Sequence, residues 1–415
     1  MFVLIFTENN IMILTIFKYH NISRKKISEN AIKVLYRLNK SGFEAYLVGG
    51  SVRDLILGKK PKDFDITTNA TPVQLKKIFK NSRLIGRRFQ IAHIMFRSEI
   101  IEVSTFRGNV KSDLQNIANY STKRTKNGML LRDNTFGNIE EDAQRRDITI
   151  NTLYYSMTDF TIKDYVGGVK DLQRKIIRLI GDPETRYRED PVRMLRVIRF
   201  SVSLKMKIEE RTKQPIVKLS NLLYKVPSAR LFNESIKLFY TGCGYSIYKQ
   251  LRRFSLLIPL FPFLSSCIKK RIIYPIELLT MQALKKTDFY IHKKIKVEPA
   301  FFFSVLLWYF QVKKTLEIKK EKKFSYFKSF SISTNNVLDY ASVKLAMPKK
   351  MILFIKEIWI LQVNMFKFPK KFSRNTIDKK VFYPAYDLML LRDKVEKNSD
   401  LKDYSYLWMA SYLKK

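Results

Sequence analysis

Between residues 45 and 110 short apolar runs alternate with tight turns and brief helical stretches, a rhythm that suits a small mixed sheet with helices on one face. Ala45-Tyr46-Leu47-Val48 reads as a strand stopped by Gly49-Gly50, and Val52 to Leu57 as a helix stopped by Gly58. Phe64-Asp65-Ile66 is a second strand. Thr71 can cap the next helix, and Pro72 suits its first turn. Ala92 to Phe96 and Ile100 to Phe106 give two more strands, and 111–130 reads as a polar, lysine-bearing mobile loop. After Ile139 the pattern turns helical, through Asn151-Thr152-Leu153-Tyr154, with a brief strand pair expected at Thr161 to Tyr165 and Ile176 to Leu179. Further on, 192–204, 228–240, 300–312 and 351–365 carry apolar residues at three- and four-residue spacing. The expected fold class is α+β, a head of mixed sheet and helices followed by an all-helical remainder.

At 415 residues the chain needs two to four domains, and 46% hydrophobic residues exclude a largely disordered one. Lys and Arg number 78 against 37 Asp and Glu, a formal charge of +41. Such an excess calls for a polyanionic partner, nucleic acid before an anionic membrane surface. Two cysteines and three scattered histidines offer neither a disulfide framework nor a zinc site, which fits a reducing, cytoplasmic setting. The apolar stretch Met1 to His20 is broken by Thr7-Glu8-Asn9-Asn10 and lacks a basic start and a small-residue cleavage site, so no signal peptide is expected. Phe301 to Tyr309 is too short to cross a bilayer, and no membrane partner is expected.

Asp63-Phe64-Asp65 is the motif on which chemistry can be built. Residues two apart on a strand share a face, so both carboxylates project together. Two like charges so close are costly without a divalent cation, and hard oxygen ligands with positions left for phosphate suit Mg²⁺. Alone, Asp-x-Asp is weak, because solvated surface acids near a turn look the same. Gly49-Gly50 strengthens it. Glycines let a phosphate approach the backbone, and free amides at a helix start near Ser51 favour negative charge. Arg53, one turn in, can pair with a phosphate oxygen while Asp54 holds it. A plain strand-to-helix turn is the alternative; the nearness of the two motifs favours a triphosphate cradle beside a metal site.

Two candidates exist for a third carboxylate. Glu102, in Ile101-Glu102-Val103, would need a partner such as Arg107. Asp147 lies in Arg145-Arg146-Asp147-Ile148-Thr149-Ile150-Asn151, where the arginines could neutralise a triphosphate and Asp147 and Asn151 would sit one helical turn apart. Either acid could instead serve a structural salt bridge, and Asp147 is preferred. In the run from Arg186 to Phe200, Pro191 falls just inside a helix start with Asp190 as its cap, and Arg193, Arg196 and Arg199 recur every three residues. A solvated basic face is the ordinary reading of such a helix; the acid–arginine pair could instead form a fork that hydrogen-bonds one edge of a base.

Tyr46-Leu47-Val48-Gly49-Gly50-Ser51-Val52-Arg53-Asp54, followed by Lys62-Asp63-Phe64-Asp65-Ile66-Thr67-Thr68, resembles the head of class II nucleotidyltransferases, the superfamily of CCA-adding tRNA enzymes and bacterial poly(A) polymerases. The Arg146-Asp147 to Asn151 and Glu189-Asp190 to Arg193 blocks match its later motifs in order. Leu84-Ile85-Gly86-Arg87-Arg88-Phe89-Gln90-Ile91-Ala92-His93 resembles the poly(A) polymerase signature, and similarity continues through Arg230-Leu231-Phe232, Pro299-Ala300-Phe301 and Pro384-Ala385-Tyr386-Asp387-Leu388. The resemblance implies an N-terminal extension (1–25), a nucleotidyltransferase head (26–155), a neck that recognises the nucleobase (156–240) and a helical body that binds RNA (241–415). It implies template-independent addition of AMP from ATP to RNA 3′ ends, promoting RNA turnover, by a cytoplasmic monomer with RNA-degradation machinery as a partner.

In that family Asp63 and Asp65 would bind two Mg²⁺ ions, with Mn²⁺ as a substitute, and Asp147 would assist catalysis. Gly49, Gly50, Arg53, Arg146, Asn151, Asp190, Arg193, Arg196 and Arg199 would contact the incoming nucleotide. Relatives often carry a long basic C-terminal tail, whereas this chain ends at Lys415, which leaves RNA grip to lysines dispersed in the body. A CCA-adding enzyme and an inactive RNA-binding scaffold stay open as alternatives, the first disfavoured by the signature near Arg88, the second by the retained acids and phosphate arginines.

Overall fold

The computed structural model describes residues 2–7, 10–86, 90–108, 135–269, 273–367 and 380–397, with 401, 403 and 404. The signature residues Arg87, Arg88 and Phe89 and the expected loop 111–130 lie outside the described residues. The chain forms two compact units, Met1–Leu219 and Ser220–Lys415.

The first unit is built on a nine-stranded mixed sheet. In chain order its strands are β1 (Phe2–Thr7), β2 (Asn10–Phe17), β3 (Ala45–Val48), β4 (Asp65–Thr68), β5 (Ser82–Ile85), β6 (Ile91–Met95), β7 (Ile100–Thr105), β8 (Leu153–Ser156) and β9 (Ile162–Asp164). Their spatial order is β1-β2-β9-β8-β3-β4-β7-β6-β5. Only β4 and β7 run parallel; the other neighbours are antiparallel. All four residues of β3 are buried, which is why its sequence is apolar without alternation; β7 has one open face and alternates. Helices α1 (Glu29–Lys40) and α2 (Gly50–Ile56) pack against β3. Helix α3 (Pro72–Ile78) starts at a capping box in which Thr71 and Gln74 bond reciprocally. Tyr46, Val48, Phe106, Tyr154 and Tyr165 close one core together with Ile139 and Ala143 of α4 (Ile139–Arg145).

Three expectations are corrected here. Leu153-Tyr154 is not helical: α4 stops at Arg145, Thr149–Asn151 is a single 3-10 turn, and β8 follows. Four buried residues lying between two sheet neighbours need backbone partners on both sides, and so short an apolar run carries no period to reveal it. Asp147 and Asn151 therefore do not lie one turn apart on a helix. The two later strands do not pair with each other: β9 joins β8 and β2, while β10 (Ile176–Ile177) runs parallel to β11 (Lys207–Ile208). Apart from these corrections, the N-terminal stretch adds β1 and β2 to the sheet, with Thr7 paired to Asn10 across the polar interruption.

Five helices complete this unit, α5 (Gly168–Arg174), α6 (Pro183–Glu189), α7 (Val192–Ser203), α8 (Glu210–Lys213) and α9 (Pro215–Leu219). In the second unit the described elements are helical: α10 (Ser228–Phe239), α11 (Gly244–Arg253), α12 (Leu257–Leu260), α13 (Phe263–Lys269), α14 (Ile273–His292), α15 (Pro299–Lys322), α16 (Tyr326–Lys344), α17 (Lys349–Lys367) and α18 (Phe382–Glu396). Helix α15 is buried without interruption from Ala300 to Trp308, as a helix enclosed by α14, α16 and α17 must be. Phe239 stacks on Phe302 at 4.5 Å, and Trp308 meets Trp359 edge-on at 6.4 Å. No described helix is long and apolar enough to cross a membrane.

Candidate active site

The parallel pairing of β4 with β7 places Glu102 opposite Asp65, and the turn out of β3 brings Gly49 against Asp65. Gly49 has φ +80°, the conformation that selects glycine, and a Cβ there would sit in ordinary contact with Asp65 Oδ2 at 3.7 Å. Asp63 lies two residues upstream in an exposed stretch, so only Asp65 is on the strand. The Asp65 carboxyl is pushed up to about 6, first by burial and then by Glu102 and Asp63, against the opposing pull of Arg146. Glu102 sits on the open face of β7, where His93 Nε2 of β6 lies 3.5 Å from its Oε1. The partner suggested by sequence, Arg107, instead donates its backbone N–H to Asp142 Oδ1 at 3.3 Å.

Arg53 is nearly buried and held from two sides. Its Nε donates to Asp54 Oδ1 at 2.9 Å and its Nη1 to Asn151 Oδ1 at 2.6 Å, which ties the glycine turn to the segment after α4. Its guanidinium lies 5.5 Å from the centre of the Phe200 ring, and those of Arg196 and Arg199 lie 5.8 and 4.9 Å from it. Gly50 lies against the same guanidinium, and a Cβ there would meet Arg53 Nη2 at 3.5 Å, an ordinary contact. Three candidate phosphate arginines thus gather around one aromatic ring.

Asp147 lies among cations. Arg193 Nε donates to its Oδ1 at 2.8 Å, and Arg196 Nε is 2.6 Å from its Oδ2. Burial would raise its pKa, but Arg196 and Arg193 outweigh burial and hold the carboxyl well below the usual range. Arg193 Nη1 also donates to the Arg186 carbonyl at 2.9 Å and to Glu189 Oε2 at 3.2 Å, so its plane is fixed. Arg186 Nη2 donates to the carbonyls of Arg145 and Arg146 at 2.7 and 2.6 Å. Burial, then Arg107 and Arg186, push the Arg145 guanidinium down to about 10. Asp190 accepts the Val192 N–H at 3.3 Å, the capping bond expected of it, although the helix proper begins one residue after Pro191.

Arg146 is held by a pair that the sequence reading passed over. Its Nε donates to Asp142 Oδ2 at 2.8 Å and to the Tyr154 hydroxyl at 3.1 Å, and that hydroxyl donates to Asp142 Oδ2 at 2.8 Å. Burial disfavours the charge on Arg146, but Asp142 and Tyr154 more than offset it and its pKa is raised. The four-residue spacing of Asp142 and Arg146 was a usable signal for this pair; nothing local announced Phe200 or Tyr154. Among the described residues no group of three or more His, Cys, Asp or Glu could by itself hold a metal ion.

Three family profiles match in chain order: the poly A polymerase head domain over residues 45–178, the probable RNA and SrmB-binding site of polymerase A over 205–268, and the polymerase A arginine-rich C-terminus over 322–412. Poly(A) polymerase I of Escherichia coli O157:H7 is 52% identical over 389 residues, 94% of this chain and 83% of that protein. The chain belongs to the poly(A) polymerase family. Poly(A) polymerase I of Haemophilus influenzae is 45% identical over 377 residues, 91% of this chain and 83% of the relative. A CCA-adding enzyme of Lactobacillus helveticus is 39% identical over only 208 residues, 50% of this chain and 49% of that one. The branch left open by the motifs is thereby decided: the chain is a nucleotidyltransferase of the poly(A) polymerase type, and the CCA-adding and inactive-scaffold readings fall away. Among solved structures, the Bacillus stearothermophilus CCA-adding enzyme in complex with CTP superposes with TM-score 0.61 at 21% identity, covering 91% of this chain and 80% of that one. A tRNA nucleotidyltransferase complexed with a primer tRNA and an ATP analogue gives 0.56 at 20%, covering 92% and 98%. These two likenesses establish the superfamily fold, a mixed-sheet head followed by helices.

Proposed function

We propose that the chain adds AMP from ATP to RNA 3′ ends without a template, by attack of the 3′-hydroxyl on the α-phosphate with loss of pyrophosphate. The observation that carries this reading is the turn that sets Gly49 against Asp65, with Glu102 opposite it and with Arg53, Arg196 and Arg199 gathered on Phe200, a set of carboxylates and guanidiniums that a metal-bound triphosphate complements. Asp63 and Asp65 would hold two Mg²⁺ ions, or Mn²⁺ in their place, and Glu102, opposite Asp65, is the better placed third carboxylate. Bound there, the ions would lower the pKa of the 3′-hydroxyl and neutralise charge on the triphosphate and the departing pyrophosphate.

The residues of the chain supply the rest. Gly49 and Gly50 leave room for phosphate; Arg53, Arg146, Arg196 and Arg199 bind the triphosphate, with Asn151 and Asp54 orienting Arg53. Asp147 acts as a positioning residue, since its carboxylate holds Arg193 and Arg196. Asp190 and Arg193 read the base edge, and a polar reader of this kind rejects a base that leaves its groups unpaired. In this reading head (26–155), neck (156–240) and body (241–415) divide catalysis, base choice and RNA binding, and the enzyme works as a cytoplasmic monomer in RNA turnover beside RNA-degradation machinery.

The test is to incubate purified protein with RNA, Mg²⁺ and each nucleoside triphosphate separately. ATP alone should give a long ladder, and Asp63→Ala or Asp65→Ala should abolish it while circular dichroism stays unchanged. Near-normal extension by either variant would sink the metal assignment, and a short CTP-plus-ATP product on tRNA would sink the substrate assignment.

A further inference from the structure

Asp65 divides the sheet of the first unit into two unlike halves. On one side of β4 lie β3 and then β8; on the other, β7, β6 and β5 follow in turn. The groups assigned to the triphosphate belong to the first half. Arg53 is on α2, which leaves β3, and it bonds Asn151, which leads into β8. Arg146 bonds Tyr154 of β8, and Phe200 draws Arg196 and Arg199 to Arg53.

The second half carries a row of side chains set by strand pairing. Glu102 of β7 is opposite Asp65, His93 of β6 is opposite Glu102, and Arg83 of β5 is opposite His93. Directly paired residues project from one face of a sheet, so all four share the face of Asp65. The intervening residues Ala92, Ile94, Ile101 and Val103 are buried on the other face, where α1 and α3 pack. Beyond β4 the Asp65 face is open. Ile85, Met95 and Ile100 are 48%, 42% and 50% exposed on it, and Arg83 and Glu102 are exposed beside them. Bare apolar side chains grouped beside a reaction centre mark a surface that something covers. None of the described residues forms an ion pair with Arg83, which strand spacing sets about 14 Å from Asp65.

The geometry of the reaction selects what covers this face. In phosphoryl transfer the attacking and leaving oxygens stand roughly in line, on opposite sides of phosphorus. With the pyrophosphate end of ATP held by arginines on the β3 side, the attacking 3′-hydroxyl has to arrive from the β7 side. The strand behind that hydroxyl then crosses β7, β6 and β5. The chemistry of the face suits it: a cation open to a phosphate, and apolar side chains on which a sugar or base can lie.

We infer that the open face of β5, β6 and β7 is the track on which the 3′-terminal nucleotide of the RNA lies, with Arg83 paired to a phosphate behind it and Met95 and Ile100 as its apolar floor. This rests on the reading of RNA and ATP as substrates, and adds the side from which the RNA enters.

The test uses the full chain and a short RNA whose 3′-terminal residue is 4-thiouridine, irradiated with Mg²⁺ and a non-hydrolysable ATP analogue. The cross-linked peptide should fall within residues 82–104. In turnover assays Arg83→Gln should raise the KM for RNA roughly threefold to tenfold and not the KM for ATP. It should also lower the slope of log KM for RNA against log salt by about 0.7, the loss of one phosphate contact. Met95→Glu sets a negative charge on the floor and should raise the same KM; the side chain is half exposed, so the Tm should hold. Cross-links confined to peptides outside this face, or an Arg83→Gln chain with unaltered KM for RNA and salt slope, would overturn the inference. The face would then belong to a protein or a second copy of the chain, and the assignments of ATP and metal would stand. A chain whose 3′-terminal label cross-links here but which adds no AMP would keep the track and refute the proposed activity.

Discussion

The start of β4 and the α6–α7 arginine cluster treat their carboxylates in opposite ways. At β4, burial and the neighbouring Glu102 and Asp63 leave Asp65 so short of positive charge that its carboxyl is pushed up to about 6. At α7, Arg193 and Arg196 hold Asp147 well below the ordinary carboxylate range, and Arg145, crowded by burial, Arg107 and Arg186, is pushed down to about 10. Identical side chains move in opposite directions because of what surrounds them. At β4 the acids lie beside other acids, opposed by Arg146, whereas at α7 Asp147 and Glu189 are met by Arg186, Arg193 and Arg196. In the function proposed above, a divalent cation arriving with the nucleotide would relieve the first region.

The largest effect is expected where the arginine side is broken. Arg193 is nearly buried, and removing the Asp147 carboxylate leaves its charge without its shortest partner. Asp147→Ala should cost about 3 kcal/mol of stability, seen as a lowered Tm. Adenylation should fall as well, because both Arg193 and Arg196 lose their anchor. Replacing Arg193 by Met in the same chain should restore part of the stability and none of the activity. If Asp147→Ala proves as stable and as active as the unaltered chain, the arginines have another neutraliser and the contrast between the two regions fails.

A smaller effect of opposite sign belongs to the β4 edge. In the metal-free chain Asp65 holds its proton more tightly when folded, its carboxyl pushed up to about 6 from the ordinary aspartate range. Its contribution to stability is therefore fully present below about pH 4 and is lost as pH rises through 6. Asp65→Asn removes a charge that the fold resists. Near pH 8 it should stabilise the metal-free protein by about 1–2 kcal/mol, with no gain near pH 4. Added Mg²⁺ should raise the Tm of the unaltered chain and not that of the variant. A variant whose advantage does not depend on pH would mean that Asp65 carries no such penalty.

Much of this was legible before the structure, and what was missed has definite causes. Local signals located the Gly49 turn, the Thr71 cap and the Asp54–Arg53 pair, because each depends on residues within one turn of chain. The helices after Val192 followed from apolar spacing. Strand β8 did not, because a four-residue buried strand has no period to show and owes its form to β3 and β9, distant in sequence. That Glu102 lies opposite Asp65 was not legible, because a parallel strand pairing cannot be read from either strand alone. The gathering of Arg53, Arg196 and Arg199 around Phe200 joins residues almost 150 positions apart, and no motif spans that gap.

The finest probe of the contrast is Tyr154, which lies where the two regions meet through Arg146. Arg146 acts on Asp65 electrostatically, and its direction is set by Asp142 and the Tyr154 hydroxyl. Tyr154→Phe removes one oxygen from a buried ring and leaves the Arg146–Asp142 bond intact, so the loss of stability should be only about 1 kcal/mol. If the hydroxyl positions Arg146 toward the triphosphate, the KM for ATP should rise roughly two- to tenfold while kcat and the KM for RNA hold. Asp142→Asn, which weakens the bonds that Asp142 accepts from Arg146 and from the Tyr154 hydroxyl, should raise the same KM further. A lowered Tm with an unchanged KM for ATP would make Tyr154 a packing residue alone. It would also show that Arg146 reaches its place without the hydroxyl, so that the arginine side is organised from α6 and α7 rather than from the sheet.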